Sequence, residues 1–336
     1  MSKPMWLIRA GRKGVYFDDF KEKNIVAIGW SDAGNMVHLK NREEFFKHIC
    51  STFPENSRQS NHVASSQIYR FMHEIKISDH VITYDSANRI YIVGEIASAA
   101  EYNSSILDGE YSNIRKVSWK GTVERDKLSS ATKYSLGAIQ TLFQVASENA
   151  EEILTLLHGK SPKISQVVSE ENVVAEQEPF LDMQERAKEL IKDRISQIDW
   201  EDMQDLVAGL LRAMGYKTRV SSIGPDRGKD IMASPDGFGL ERPRIKVEVK
   251  HRRGQMGAPD IRSFLSVVRH VEDKGLYVST GGFSKEAYYE AERASNPITL
   301  MNIDDFVEAI MEHYEKLDTA SRLLLPLTRI YWPTSK

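Results

Sequence analysis

Two acidic residues and a lysine carry the clearest chemical signal in this sequence. Asp230 opens the β-type run DIMAS, and eighteen residues later Glu248 and Lys250 stand two apart in RIKVEVKH. Side chains alternate between the faces of a strand, so Glu248 and Lys250 share one face and Val247 and Val249 the other. If the two strands are neighbours, Asp230 reaches the same face. Two converging carboxylates can hold a hard divalent cation such as Mg²⁺, with Mn²⁺ as a substitute, together with waters and a substrate phosphate. A lysine beside them can orient or deprotonate an attacking water and steady the charge that develops on phosphorus. These are the parts needed to hydrolyse a phosphodiester. The plainer use of E-x-K on a strand is a surface ion pair, common in a chain with 28% charged residues. Three features favour chemistry. The aspartate precedes the pair across a hairpin-length connection. Gly224 and Gly228 allow close backbone approach. The run RPRIKVEVKHRR, residues 242–253, holds six Arg or Lys against one acid. Such a run suits a phosphate backbone, with Arg252 and Arg253 as DNA contacts just past the strand. Asp226, in the turn, is an alternative or additional metal ligand. Asp230 is preferred because a strand end is held more rigidly than a glycine-flanked turn.

The elements that must position these residues are legible from residue 199 onward. DWEDMQDLVAGLLRAMGY reads as an amphipathic helix with Leu206, Val207, Leu210, Leu211 and Met214 on one face and Gly215 at its C-terminus. Strands follow at KTRVSS, DIMAS and RIKVEVKH, then helix, strand, helix, strand and helix. That alternation predicts an α/β sandwich with a mixed sheet. Residues 1–145 read differently, as short aromatic and β-branched strands (WLIRA, NIVAIGW, HVITYDS, RIYIVGEIAS) with helical patterns at REEFFKHICSTF and SSQIYRFMHEI. A small, mostly antiparallel sheet or barrel with helices is expected there. Between them, residues 146–198 read as an acidic linker followed by a solvated helix over 180–198, and residues 316–336 as a C-terminal tail.

Composition narrows the partners. The chain has 336 residues, a net charge of −3 and 41% hydrophobic residues, about two domains' worth of ordinary globular protein. No run approaches the roughly 18 apolar residues of a membrane span, and MSKPMWLIRAG has no signal-peptide core. A cytoplasmic protein without a membrane partner is expected. A single cysteine, Cys50, excludes an internal disulfide and a zinc finger. Mild acidity excludes bulk coating of nucleic acid, so DNA contact must come from local patches.

Four segments in order, a helix ending in MGY, GPDRGKDIMAS with VEVKHRRG, VSTGGFSKEAYYEA, and ITLMNIDDF, resemble the catalytic domain of Mrr-type restriction endonucleases, within the PD-(D/E)xK nuclease superfamily. The resemblance covers about residues 199–315. It implies a restriction-endonuclease-like α/β/α fold, Asp230, Glu248 and Lys250 as the catalytic set, and Mg²⁺ as cofactor. The family's first helix usually carries an acid in F-E-x-L. Here the register is Met203, Gln204, Asp205, Leu206, so Gln204 stands in that place and is left to hydrogen-bond a metal-bound water, with Glu201 and Asp205 close by. Thr280 and Ser284 flank GGFS, where backbone N–H groups at a helix start can meet a DNA phosphate. A plain N-cap is the equal alternative for Ser284.

The first domain has no catalytic set, and its histidines lack metal-ligand spacing. WLIRAG, Gly29-Trp30, ISDHVITYDSANRIYIVGEIAS and RKVSW resemble PUA-like domains, EVE-type in particular. That resemblance implies a reader of modified bases that flips a base and stacks it on aromatic rings. Trp30, Tyr84 and Trp119 are the candidate pocket, with Arg12, Lys13 and Arg89 for phosphate contacts, although tryptophans in such strands serve equally as core. The expectation is a modification-dependent endonuclease cutting foreign double-stranded DNA in host defence, as a homodimer or DNA-assembled pair because two strands need two sites. Two alternatives stand beside it. One is a nuclease whose first domain senses RNA or a small signal molecule; the other is a non-catalytic DNA-binding protein on the nuclease fold.

Overall fold

The computed structural model describes residues 3–107, 109–160, 179–220, 231–268 and 270–332. The chain divides into two compact units, Met1–Ala187 and Lys188–Lys336. No helix among the described residues is long and apolar enough to cross a membrane.

The first unit runs β1 (Met5–Ile8), α1 (Phe17–Glu22), β2 (Ile25–Ile28), α2 (Arg42–Thr52), α3 (Arg58–Tyr69), β3 (His80–Asp85), β4 (Ile90–Ile96), β5 (Glu101–Tyr102), β6 (Asn113–Glu124), α4 (Ser130–Leu136), β7 (Leu142–Val145) and α5 (Ser147–Leu157). The strands order as β2-β6-β4-β3-β1-β7, with β5 on β6, and only β1–β3 is parallel. Period-two alternation sends Trp6 and Ile8 into one core with Phe20, Phe45 and Ile68 of the first three helices. Met5 and Leu7 enter a second core with Leu136 of α4 and Ile153 of α5. On β6, Trp119 crosses Gly94 at a bulge in the β4–β6 ladder. A Cβ on Gly94 would lie 2.7 Å from the indole, so the close approach requires glycine there.

The second unit begins within α6 (Pro179–Ile195) and continues with α7 (Trp200–Ala213), β8 (Lys217–Val220), β9 (Ile231–Ser234), β10 (Ile245–Lys250), α8 (Ala258–Leu265), β11 (Lys274–Ser279), α9 (Lys285–Glu292), β12 (Ile298–Asn302), α10 (Ile303–His313) and α11 (Thr319–Leu324). Its sheet orders as β12-β11-β10-β9-β8. β10–β11 and β11–β12 are parallel, whereas β8–β9 and β9–β10 are antiparallel. One face packs on α7 and α10 through Val207, Leu211, Phe306 and Ile310. The other packs on α8 and α9 through Ile261, Phe264 and Ala287. This is the three-layer mixed-sheet sandwich that the alternation of elements predicts.

Two stretches differ from the sequence reading. The expected acidic linker begins with α5, whose Ala150 and Ile153 are buried in a core while Glu148 and Glu151 are exposed and Glu152 accepts hydrogen bonds from Ser129 and Thr132. Acid content hid an amphipathic helix. Residues 161–178, the rest of that stretch before the solvated helix, lie outside the described residues. The expected tail after 315 contains α11, and Leu317 and Leu325 on either side of it are buried in the α7–α10 core. Ser321 of α11 lies so close to α7 that a Cβ on Gly209 would fall 1.9 Å from its hydroxyl. Gly209 therefore stands mid-helix, at a propensity cost of about 1 kcal/mol, because α11 crosses there.

Candidate active site

β10 is the middle strand of the second sheet, and its two faces do different things. Ile245 and Val247 are buried in the α7–α10 core with Val249 packed against it. Glu248 and Lys250 share the opposite face. Lys250 Nζ lies 2.5 Å from Glu248 Oε1, with the two side chains 39% and 32% exposed. An ion pair so exposed contributes only about 0–1 kcal/mol to stability. The fold does not depend on it.

The parallel register extends this face onto β11. Glu248 is opposite Tyr277 and Lys250 opposite Ser279. Tyr277 is buried in the α8–α9 core. Burial, and then the charges of Glu248 and Asp260, push its hydroxyl well above the ordinary tyrosine value, so it remains protonated. Ser279 is fully buried, and its hydroxyl has no hydrogen-bond partner among the described residues. The sequence reading missed both residues. Alternation puts the two on one face of β11, but only the parallel register to β10 puts them beside Glu248 and Lys250.

Asp226 and Asp230 lie outside the described residues. The described β9–β10 ladder ends at Ile231 opposite Val247, one position short of Glu248. Gln204 is buried on α7, and its Oε1 has no partner among the described residues. An amide oxygen left so costs about 1–3 kcal/mol. Mg²⁺ takes oxygen donors, and the Glu248 carboxylate is a donor of that kind. Among the described residues no cluster of three His, Cys, Asp or Glu side chains forms a complete metal site.

Just past β10, Arg252 Nη2 is 3.5 Å from Asp260 Oδ1 and 3.4 Å from Met256 Sδ, with its side chain 58% exposed. Arg253 follows it. Thr280 N donates to Lys250 O at 3.1 Å. The His251 ring lies 2.8 Å from Ile198 O through Nε2 and 3.2 Å from Thr280 Oγ1 through Nδ1. Ser284 is the N-cap of α9: its hydroxyl accepts from Ala287 N at 3.3 Å. The same hydroxyl hydrogen-bonds Glu286 and holds that carboxylate below its ordinary value. Ser284 thus caps α9, with the Glu286 carboxylate in the same first turn.

In the first unit the three candidate pocket aromatics do not converge. Trp30, in a left-handed conformation at φ 64°, and Trp119, which donates to Phe20 O at 3.2 Å, pack against the core under α1–α3. Tyr84 faces the other core, its ring 4.7 Å from that of Tyr91 and 5.5 Å from the Arg125 guanidinium. Tyr84 and Trp119 thus pack into different cores, and Trp30, beyond the end of β2, packs with Trp119 rather than with Tyr84. Arg89 is paired with Asp126 at 2.6 Å. Arg12 is exposed in a short turn, and the Lys13 side chain lies outside the described residues.

Comparison with known proteins divides the chain in a similar place. Residues 195–310 match the Mrr catalytic family, described as a restriction endonuclease, and form a restriction endonuclease domain. Residues 6–146 match a domain of unknown function, DUF8426. The uncharacterized protein y4cE of Sinorhizobium fredii (strain NBRC 101917 / NGR234) is 26% identical over 99 residues, covering 29% of this chain and 25% of that protein. The chain thus spans about a quarter of the length of that curated relative. Among solved structures, the DNA modification-dependent restriction endonuclease AspBHI aligns over 80% of this chain and 74% of its own, at 14% identity and a TM-score of 0.32. MspJI restriction endonuclease, in complex with a 27-mer oligonucleotide, aligns over 94% and 69%, at 10% identity and a TM-score of 0.33.

Proposed function

We propose that this chain is a divalent-metal-dependent endonuclease that cuts double-stranded DNA. One observation carries the proposal: the restriction endonuclease domain presents a Glu248–Lys250 pair, on one face of its middle strand, that the fold does not need for stability. Glu248, with Asp230 and with Asp226 as a further candidate, is the group to hold Mg²⁺ or Mn²⁺. The bound ion supplies Lewis-acid stabilisation of charge on the phosphoryl oxygens. Lys250 brings its ammonium beside the same phosphate, where it neutralises developing charge and orients the attacking water. Gln204 lies on α7, which packs with Val247 on the other face of β10, and stays a candidate only through its place in the family's first-helix register. Arg252 and Arg253 continue the positive surface along the DNA backbone.

Substrate choice falls to the first unit. The resemblance to PUA-like readers supports sensing of a modified base, with Trp30 as the stacking ring and the protein acting as a pair to cut both strands in defence against foreign DNA. The separation of Tyr84 from Trp30 and Trp119 removes the three-ring pocket, and the second reading has this unit sense RNA or a small signal molecule. A supercoiled plasmid, methylated or unmethylated, incubated with the full chain with and without Mg²⁺ tests both. Metal-dependent cutting establishes the nuclease, and preference for the methylated plasmid establishes base sensing. Cutting of neither plasmid under any condition overturns the nuclease proposal.

A further inference from the structure

We infer that His251 is a positioning residue for the Glu248–Lys250 pair, locking the end of β10 to the start of α7 and the end of β11; this rests on the nuclease reading above. Ile198 O can only accept, so His251 Nε2, 2.8 Å away, carries the proton and donates. The other nitrogen of the neutral ring is then an acceptor, and Thr280 donates its hydroxyl to it across 3.2 Å. The ring is half-buried, and the desolvation that follows lowers its pKa below the ordinary value against the opposing pull of the Ile198 carbonyl and Asp199. That favours the neutral form this bonding pattern uses.

Each end of the clamp is itself fixed. Ile198 precedes Asp199, the N-cap of α7, whose side chain accepts from Asp202 N. Thr280 N donates to Lys250 O, so Thr280 grips the lysine's backbone and the ring that follows it. One imidazole thus joins the strand bearing Glu248 and Lys250, the helix bearing Gln204, and the strand end bearing Ser279. The Glu248–Lys250 pair is partly exposed and contributes little to its own placement, so its precision must come from the backbone beneath it. The hydroxyl has a second acceptor, Arg252 O at 3.4 Å, so its bond to the ring can be lost without leaving the hydroxyl unsatisfied. The clamp can therefore loosen while the fold stays intact.

The test uses the full chain, MgCl₂ and the supercoiled plasmid that the wild type cuts, measuring kcat per folded molecule, DNA Kd and Tm. His251→Phe keeps a ring of similar shape without either nitrogen. It is expected to lower kcat roughly 10- to 100-fold with Kd unchanged. His251→Gln keeps an N–H for Ile198 O and is expected to recover part of that loss. Thr280→Val removes one bond of the clamp and is expected to add nothing to His251→Phe in the double variant. His251→Phe with wild-type kcat per folded molecule, or with its loss confined to Kd or Tm, overturns the positioning role while the nuclease reading stands. If His251→Phe does not fold, His251→Gln and Thr280→Val decide by the same measure. A wild-type chain that cuts no plasmid overturns the nuclease reading and the role of His251 together.

Discussion

The Glu248 carboxylate and the Lys250 ammonium meet at 2.5 Å on the outward face of β10, and both side chains are about one-third exposed. A pair of this kind is functional or idle, because it contributes about 0–1 kcal/mol to the fold. Glu248→Gln and Lys250→Ala are therefore expected to leave Tm within a few degrees of wild type while reducing plasmid cleavage at least 100-fold. Thermal melts beside a cleavage time course decide this. Both variants cutting at the wild-type rate would remove the pair from the chemistry.

Neutralising Arg252 and Arg253 to Gln is expected to weaken DNA binding across sequences and to reduce the slope of log K against log salt by about one for each phosphate that is no longer neutralised. Fluorescence anisotropy over a salt series gives the slope. An unchanged slope assigns the two arginines to interactions within the protein, of which the approach of Arg252 to Asp260 is one.

Gly209→Ala is expected to destabilise the protein by about 1–3 kcal/mol, because the added methyl falls 1.9 Å from the Ser321 hydroxyl. Ser321→Gly is expected to recover much of that loss in the double variant. Urea melts of the four proteins measure the coupling, and strict additivity would mean that α11 does not bear on α7.

Asp318 caps α11 by accepting from Ser321 N and pairs with Arg212, which together hold its carboxyl at about 2 against an ordinary 3.8. A lowered carboxyl pKa stabilises the fold above the unfolded value and loses that effect as pH falls through the folded one. Stability should therefore decline between pH 3.8 and about 2 by an increment that Asp318→Asn lacks. Denaturation at several acid pH values compares the slopes, and parallel curves would refute the assignment.

Trp119→Ala is expected to destabilise the first unit, because its ring fills the space over Gly94. Trp30→Gly suits the left-handed backbone at that position, which offsets part of the packing that its ring loses against the core, and is expected to destabilise the first unit less than Trp119→Ala. If Trp30 stacks on a flipped base, the variant loses roughly 1–3 kcal/mol of preference for modified DNA. Equal binding of modified and unmodified oligonucleotides by the wild type removes the base-reading role.

The parts of this molecule governed by simple periodicity were legible in the sequence. Period-two alternation placed Glu248 with Lys250 and turned Val247 inward, and the apolar stripe of Leu206, Val207, Leu210 and Leu211 identified α7 as an amphipathic helix with one buried face. What was hidden depends on pairings remote in sequence. Tyr277 and Ser279 join the face only through a parallel register with no local sign. His251 reaches Ile198 across fifty-three positions. Tyr84 separates from Trp119 because the face of the strand, not aromatic character, decides which core a ring enters, and Trp30 is placed by the turn after β2. α5 and α11 were obscured by composition: glutamates beside Ala150 and Ile153, and a short helix after the last clear strand.

β10 has an antiparallel neighbour on one side and a parallel neighbour on the other. The antiparallel strands form a meander with short-range pairing, whereas β11 and β12 each return through a helix before they can pair. Loop closure makes the second kind of pairing the slower one. β10 is thus the seam between a half of the sheet paired through sequence-local meander connections and a half paired across intervening helices, and Tyr277 of that second half lies opposite Glu248. A chain emerging from the ribosome carries β10 before it carries the strands that finish this face. The face bearing Glu248 and Lys250 is therefore extended by a strand that follows β10 in the sequence, Tyr277 and Ser279 of β11 lying opposite the pair.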